Sequence, residues 1–440
     1  MGAKTPQRIS AEGAAERVRS GDWVDYGSNL GQPDLFDRAL GARAKELRGV
    51  RIRSCLSLRP RAVLEADPQG DHFSWLSWHF SGYDRTQHDA GRTNYIPMNF
   101  GEAPDYYRRF VDPIDVVCLK TAPMDEHGYF NFGAAVTYHK ALTERARCLV
   151  IETSPRMPYV FGGEESVHAS DVDLVIEGGD EPLAELVNPE PTEADRKVAT
   201  QIAAEIEDGA CLQIGIGGMP NAVCGELKSA GLRDLGIHTE MFVDGMIDLI
   251  ESGIVTGARK TLNRFQTVFT FALGSERQYR FLDRNPRVQS FPVDYTNLPS
   301  NIAQNDRVVS INNTTQIDLQ GQAASESDGH RHLTGTGGQL QFVRGAYASR
   351  GGKSFICLSS MYERKGVRRS RIVSTLTPGN VVTTPRTDVM YVVTEYGLVN
   401  LKGKSVAERA HALIGIAHPD FRESLAREAR EKNLIPRGFF

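Results

Sequence analysis

The apolar residues of this chain fall into short runs separated by helical stretches. An Ala-rich segment with Ser10 at its head and Glu12 behind it predicts a helix over 10–20. Trp23-Val24-Asp25-Tyr26 then reads as a strand, Gly27 to Pro33 as a turn, Asp34 to about Leu47 as a helix, and Val50-Arg51-Ile52-Arg53-Ser54 as a second strand. A strand–Gly turn–helix–strand unit of this kind points to an α/β fold with a mainly parallel sheet. Farther on, Asp115–Leu119 and Cys148–Glu152 read as buried strands with a helix over 137–145 between them. Later runs at 211–214, 268–272, 308–311, 354–358 and 390–393 read as strands, and 221–230, 405–414 and 421–432 as helices.

The opening unit recurs. Gly21 matches Gly209 and Gly27 matches Gly215, each 188 positions apart (209 − 21 and 215 − 27). Past one residue of slippage, Pro33 matches Pro220 and Gly49 matches Gly236 at 187, and Arg53 stands where Glu240 stands in the second copy. Two similar halves are expected rather than a solenoid. The Pro- and acid-rich segment Asn188-Pro189-Glu190-Pro191-Thr192-Glu193 is the linker candidate, because its prolines deny helix continuation. Thr192 caps a helix reaching about 206. The expected domains are therefore 1–190 and 191–440.

Composition narrows the class without naming it. With 440 residues the chain exceeds one ordinary core. Its 40% hydrophobic and 24% charged residues are those of a soluble globular protein. A net charge of −4 with scattered cations argues against a nucleic-acid partner; the short run Arg364 to Arg369 reads as a solvated loop. The six cysteines are widely spaced with no CxxC pair, as in a reducing compartment. No apolar stretch nears the ~20 residues that span a bilayer, and the N-terminus reads as neither a secretory signal nor a myristoylation motif, since Pro6 stands where the latter needs Ser or Thr. A cytoplasmic location follows as the expectation.

Nucleotide and metal motifs fail on spacing. Gly403-Lys404-Ser405 and Gly352-Lys353-Ser354 lack a glycine at the position a P-loop requires, and Gly215-Ile216-Gly217 does not continue as a dinucleotide fingerprint. Asp125-Glu126-His127, and His330 with His332, lack partners at ligand spacing, so no metal is expected. There is no GxSxG nucleophile elbow. The aromatic group Phe73, Trp75, Trp78, Phe80 and Tyr83 reads as core.

Glu240 stands out. A lone glutamate after a strand is ordinarily a solvated carboxylate. Here the strand Gly236-Ile237-His238-Thr239 delivers it to a sheet edge, Met241-Phe242-Val243 follow to exclude water, and no Lys or Arg is adjacent. Two Gly-rich turns, Gln213 to Asn221 and Thr334 to Leu340, can each present converging backbone N–H groups. The expectation is that both turns surround Glu240 and that it is a nucleophile.

The segments IHTEMFVDGMIDL, IGIGGMPNAV, INNTTQIDLQGQ, TGTGGQLQFVRGA and YVVTEYGLVNLKGKSVAERA resemble the acetyl-CoA hydrolase/transferase family, and within it the 4-hydroxybutyrate and butyrate type of family I coenzyme A-transferases. RTNYIPMNF, PMDEHGYFNFG and HASDVDLVIE extend the resemblance over nearly the full chain. It implies tandem NagB/RpiA-like open α/β domains with the active site between them, and a glutamate nucleophile at Glu240. It places oxyanion-hole amides at Ile216, Gly337 and Gly338. Coenzyme A contacts would fall on Gly215, Gly217, Gly218, Asn312, Gln322, Gly335 and Lys353. Where the family usually reads GTGGQLDF, this chain has Gln341, which removes a charge near that loop.

The implied reaction is ping-pong exchange of CoA between an acyl-CoA and a free carboxylic acid through a glutamyl-CoA thioester, with no tightly bound cofactor. The family likeness also implies a homodimer. Asn29, Arg59 and Arg61 of the first half are the expected substrate-binding residues, and two arginines suit a second carboxylate, so itaconate with succinyl-CoA as donor is the expected pair, as in the itaconate-degrading members of the family. The alternatives are a 4-hydroxybutyrate or butyrate:acetyl-CoA transferase, an acyl-CoA hydrolase on the same scaffold, and a non-enzymatic ligand sensor.

Overall fold

The computed structural model describes residues 5–186, 189–215 and 217–438. The chain forms two compact units. The first comprises Met1–Val187 with Val268–Thr296 and Leu333–Gly337, and the second Asn188–Thr267 with Asn297–His332 and Gly338–Phe440.

The first unit begins with β1 (Gln7–Arg8) and α1 (Ala11–Ala15), where the Ser10 hydroxyl accepts from the Gly13 N–H. α1 is shorter than the sequence predicts. The Asp22 carboxylate takes the Arg19 N–H at 2.7 Å and Gly21 adopts φ +85°, so the chain turns early into β2 (Trp23–Ser28). Then come α2 (Leu35–Ala42), β3 (Val50–Cys55), β4 (Phe73–Ser77), β5 (Thr93–Tyr95), β6 (Ile114–Thr121), β7 (Ala146–Thr153) and β8 (Leu174–Ile176). All eight strands are parallel in the order β1-β8-β7-β6-β2-β3-β4-β5. Parallel strands covered on both faces need near-continuous apolar runs, which β6 and β7 provide. Tyr26, Phe36, Trp75 and Val116 lie in the core they bury.

The second unit opens with α3 (Glu193–Ala203), on which Thr192 and Asp195 form a reciprocal capping box. β9 (Cys211–Ile214), α4 (Gly218–Ser229), β10 (Gly236–Ile237) and α5 (Asp244–Glu251) follow. Next are β11 (Val308–Asn313), α6 (Gln339–Ala348), β12 (Lys353–Cys357), β13 (Tyr391–Thr394), β14 (Gly397–Asn400), α7 (Val406–Gly415) and α8 (Pro419–Glu431). The sheet order is β10-β9-β11-β12-β13-β14, parallel except for the last pair.

The two sheets share a layout. From β2 the chain steps one way to β3 and then returns to the other side at β6; from β9 it steps to β10 and returns at β11. Each unit thus has a topological switch point, where open α/β sheets form a crevice at the strands' carboxyl ends. The register corrects one sequence match. Trp23 pairs with Arg51 and Cys211 with Gly236, so past the loop the copies differ by 185 (236 − 51). Cys55, not Arg53, stands where Glu240 stands. The turn between strand and helix is longer in the first copy than the glycine matches imply.

Candidate active site

Glu240 follows β10 and is positioned by backbone pairing on its neighbour. The His238 N–H donates to the Leu212 carbonyl at 3.0 Å, and the Thr239 hydroxyl donates to the Met241 carbonyl at 3.1 Å. His238, Thr239, Met241, Phe242 and Val243 are all buried, so the carboxylate emerges from an apolar wall. Lys260 braces this strand from behind. Its Nζ donates to the Ile237 carbonyl at 2.9 Å and the Gln266 carbonyl at 2.7 Å, and its stem fills the space that a Cβ on Gly236 would need.

Two donors converge on the Glu240 carboxylate. Asn297 Nδ2 lies 2.5 Å from Oε2, and the Gly338 N–H also donates to the group. Gly338 is the cap of α6, so the positive end of a ten-residue helix faces the acid. A Cβ at 338 would lie 2.2 Å from Glu240 Oε2 and 2.3 Å from Asn297 Nδ2, which only glycine avoids. Burial raises the Glu240 pKa to about 7, against the lowering pull of Asn297 and Gly338. A carboxylate partly withdrawn from water, ionised near neutrality and flanked by two N–H donors is equipped to attack a carbonyl and to stabilise the oxyanion that results.

Nothing local in the sequence marks Asn297. It ends the short helix Val293–Asn297, just ahead of another that starts at Pro299, and lies 57 positions after Glu240.

The other expected site residues are placed as follows. The Gly215 N–H is committed to the Ile311 carbonyl, Gly217 takes φ +118° before α4, and Gly218 is the first residue of that helix. Ile216 lies outside the described residues. Gly335 packs against Trp78 and His79, and Gly337 bridges to Asn99 and accepts from the Phe100 N–H, both within the first unit. Asn312 exchanges amide hydrogen bonds with Gln213, and the Gln322 amide donates to Asp318. Lys353 begins β12 and donates to the Glu205 carboxylate and carbonyl at 2.8 Å each. The strand's far end carries Cys357, so Lys353 is ~13 Å from the sheet edge that holds Glu240. Gln341 is buried in the first turn of α6.

In the first unit Arg59 and Arg61 both turn to Asp34, at 2.9 and 3.4 Å, and Lys120 joins the same carboxylate. Burial pushes the Asp34 carboxyl up, but Lys120, Arg61 and Arg59 outweigh it and hold the group below its usual range. Glu152 accepts from the N–H groups of Asp34, Leu35 and Phe36 at 2.9, 2.9 and 3.0 Å, so the start of α2 is filled by the protein's own carboxylate. Asn29 is buried in a left-handed turn (φ +40°), with its Oδ1 on the Leu30 N–H.

Among the described residues no group of His, Cys, Asp and Glu could hold a metal, and no helix is long and apolar enough to cross a membrane.

Sequence comparison defines the class. The N-terminal domain model of the acetyl-CoA hydrolase/transferase family matches residues 5–187, and its C-terminal domain model matches 274–429. The chain belongs to this family and is a CoA-transferase. It is 44% identical to a butyryl-CoA:acetate CoA-transferase of Anaerostipes caccae over 97% of this chain and 96% of that one. It is also 44% identical to a succinyl-CoA:cyclohexane-1-carboxylate CoA transferase of Geobacter metallireducens, over 96% and 94%. Among solved structures, RipA from Yersinia pestis superposes with a TM-score of 0.90 at 39% identity, covering 98% of both chains.

Proposed function

We propose that Glu240 is the nucleophile of a ping-pong CoA transfer. The observation that carries this reading is the half-buried Glu240 carboxylate held by Asn297 and Gly338. One carboxylate oxygen attacks the thioester carbonyl, a C–O bond forms and the C–S bond breaks. This yields a mixed anhydride and CoA thiolate. The thiolate then attacks the glutamyl carbonyl, releasing the first acid and leaving CoA on Glu240 as a thioester. An incoming carboxylate reverses both steps and departs with CoA. Thioester energy is conserved throughout, so the route consumes no ATP. The Asn297 amide and the Gly338 N–H serve the oxyanions, a contribution of ~3 kcal/mol for one donor.

For the acid we propose a short monocarboxylate such as butyrate or acetate. Arg59 and Arg61 already satisfy Asp34, which leaves neither as an uncommitted guanidinium for a second substrate carboxylate. The acceptor acids named for the similar transferases quoted above, acetate and cyclohexane-1-carboxylate, carry one carboxyl group, although the second is named for succinyl-CoA as its partner thioester.

The test is hydroxylamine or borohydride trapping with butyryl-CoA, followed by peptide mapping. Modification confined to Glu240, and loss of exchange in Glu240→Ala, are expected. Undiminished exchange in that variant would reject the covalent route. CoA release at the same rate without any acceptor acid would make the protein a hydrolase. A panel of acids led by itaconate rather than butyrate would overturn the monocarboxylate assignment.

A further inference from the structure

β10 is a two-residue strand at the edge of its sheet, and Glu240 lies three positions beyond its last residue (240 − 237). β9 holds its inner side, where the Gly236 N–H donates to the Ala210 carbonyl at 2.9 Å and the His238 N–H to the Leu212 carbonyl. An edge strand also presents an outer row of backbone groups with no strand to pair them. Here the segment 255–266 supplies their partners. The Leu235 carbonyl accepts from the Thr256 and Gly257 N–H groups at 3.1 and 2.9 Å. The next outward carbonyl, that of Ile237, accepts from a side chain, Lys260 Nζ, at 2.9 Å.

A lysine is a costly way to make that contact. Lys260 is 5% exposed, and its two acceptors, the Ile237 and Gln266 carbonyls, are both neutral. Burial lowers its pKa to about 8, which leaves it charged at neutrality, and among the described residues no carboxylate pairs with it. A buried ammonium without a counter-ion is unfavourable, so a residue that only filled space here would be apolar. The strand is shaped to admit it. Lys260 Cγ stands 2.5 Å from where a Cβ on Gly236 would be, so only glycine lets the stem pass β10. The segment that carries the lysine is itself tied down. The Phe265 N–H closes on the Gly257 carbonyl at 3.0 Å, and buried Asn305 takes the Thr261 and Leu262 N–H groups on its Oδ1 at 3.1 and 3.0 Å.

We propose that Lys260 is the positioning residue of the nucleophile: its ammonium, clamped between the Ile237 and Gln266 carbonyls, fixes the outer edge of β10 and so sets where the Glu240 carboxylate meets Asn297 and Gly338. The inference rests on Glu240 being the acyl acceptor. Lys260 acts through the Ile237 peptide and not on the carboxylate, whose own donors are Asn297 and Gly338. A charge-assisted hydrogen bond is roughly twice as strong as a neutral one, which suits a strand of two residues that must not fray. Attack needs one oxygen at the thioester carbonyl while both donors keep their hold, and a displacement of about 1 Å costs about 10²-fold in rate.

The experiment measures two things with butyryl-CoA: steady-state exchange, and the rate constant for hydroxylamine labelling of Glu240, which does not depend on how much of the protein is folded. Lys260→Met keeps the bulk of the stem and removes the charge. Its kcat and labelling constant should fall about 100-fold while KM stays within about twofold of wild type. Gly236→Ala keeps the ammonium but drives its stem aside, and should lose as much. Lys260→Ala should fall alike, and adding Gly236→Ala to it should cost nothing further, because no stem remains to clash. A lysine that served stability alone would lower the melting temperature and leave kcat and labelling native. That result, strictly additive losses in the Gly236 and Lys260 pair, or a raised KM at native kcat would each overturn the proposal. Wild-type protein that exchanges CoA with no label on Glu240 removes the nucleophile and this inference with it. A labelled wild type with equally fast labelling in Lys260→Met removes Lys260 alone.

Discussion

At the scale of the residue, Glu240 is a compromise between two demands. Burial withdraws water from its carboxylate and raises its pKa to about 7, while Asn297 and Gly338 pull the other way. With Glu240 as the nucleophile proposed above, only the ionised form would attack, so kcat/KM should climb with pH through about 7 and flatten above it; a flat profile from pH 5.5 to 8.5 would contradict this. Asn297→Ala removes a donor that favours the anion. It should lower kcat about 10²- to 10³-fold and move the acid limb to higher pH, both read from one pH–rate series. Gly338→Ala places a methyl 2.2 Å from the carboxylate and should abolish exchange even though φ at this position is an ordinary −98°. Sequence reading reaches Glu240 through the apolar residues after it. It does not reach Asn297, because a side chain brought in from 57 positions away leaves no local pattern.

At the scale of the element, local signals were the most legible. The Ser10 and Thr192 caps are both present, Thr192 as a full capping box with Asp195, because a cap is decided within four residues. Apolar runs such as 211–214 and 354–358 lie in strands buried on both faces. What a local pattern does not carry is whatever depends on register or partners. Glycine spacing aligns Arg53 with Glu240 because it cannot count loop residues. Arg59 and Arg61 looked like an anion clamp because Asp34 and Lys120, from two other elements, join them only in the fold. That cluster carries its own prediction. Lys120→Met removes one of the cations that hold Asp34 ionised and strips Glu152 of its nearest positive charge. Breaking a buried pair in this way costs ~3–5 kcal/mol, so the midpoint of urea unfolding should fall markedly, and adding Glu152→Gln should recover part of the loss. Strictly additive losses would show that the two groups are uncoupled.

At the scale of the whole molecule, the burial of carboxyl groups tilts stability against alkaline pH. Two carboxyls are raised to about 7: Glu240, and Asp25 deep in the first unit, where burial outweighs the Tyr107 hydroxyl at 2.7 Å and the Gly27 N–H at 2.8 Å. In the unfolded chain both ionise near pH 4. Between about pH 4.5 and 7 the folded protein therefore binds protons that the unfolded one has released, and stability falls as pH rises across that window. Above 7 both states are ionised and the full penalty remains. For Glu240, which keeps some exposed surface, that penalty is on the order of 1–3 kcal/mol. Glu240→Gln removes the charge without changing shape. It should be close to neutral for thermal stability at pH 5 and should raise the melting temperature at pH 8, while abolishing exchange at both. Asp25→Asn should show the same pH-dependent gain through its own unit, and the double variant should be nearly additive because no hydrogen-bonding partner is shared. Melting curves of the four proteins at the two pH values decide the point. A Glu240→Gln gain as large at pH 5 as at pH 8 would mean the carboxylate is not held protonated by burial. The stability cost of placing a carboxylate here would then lie in packing, not in charge.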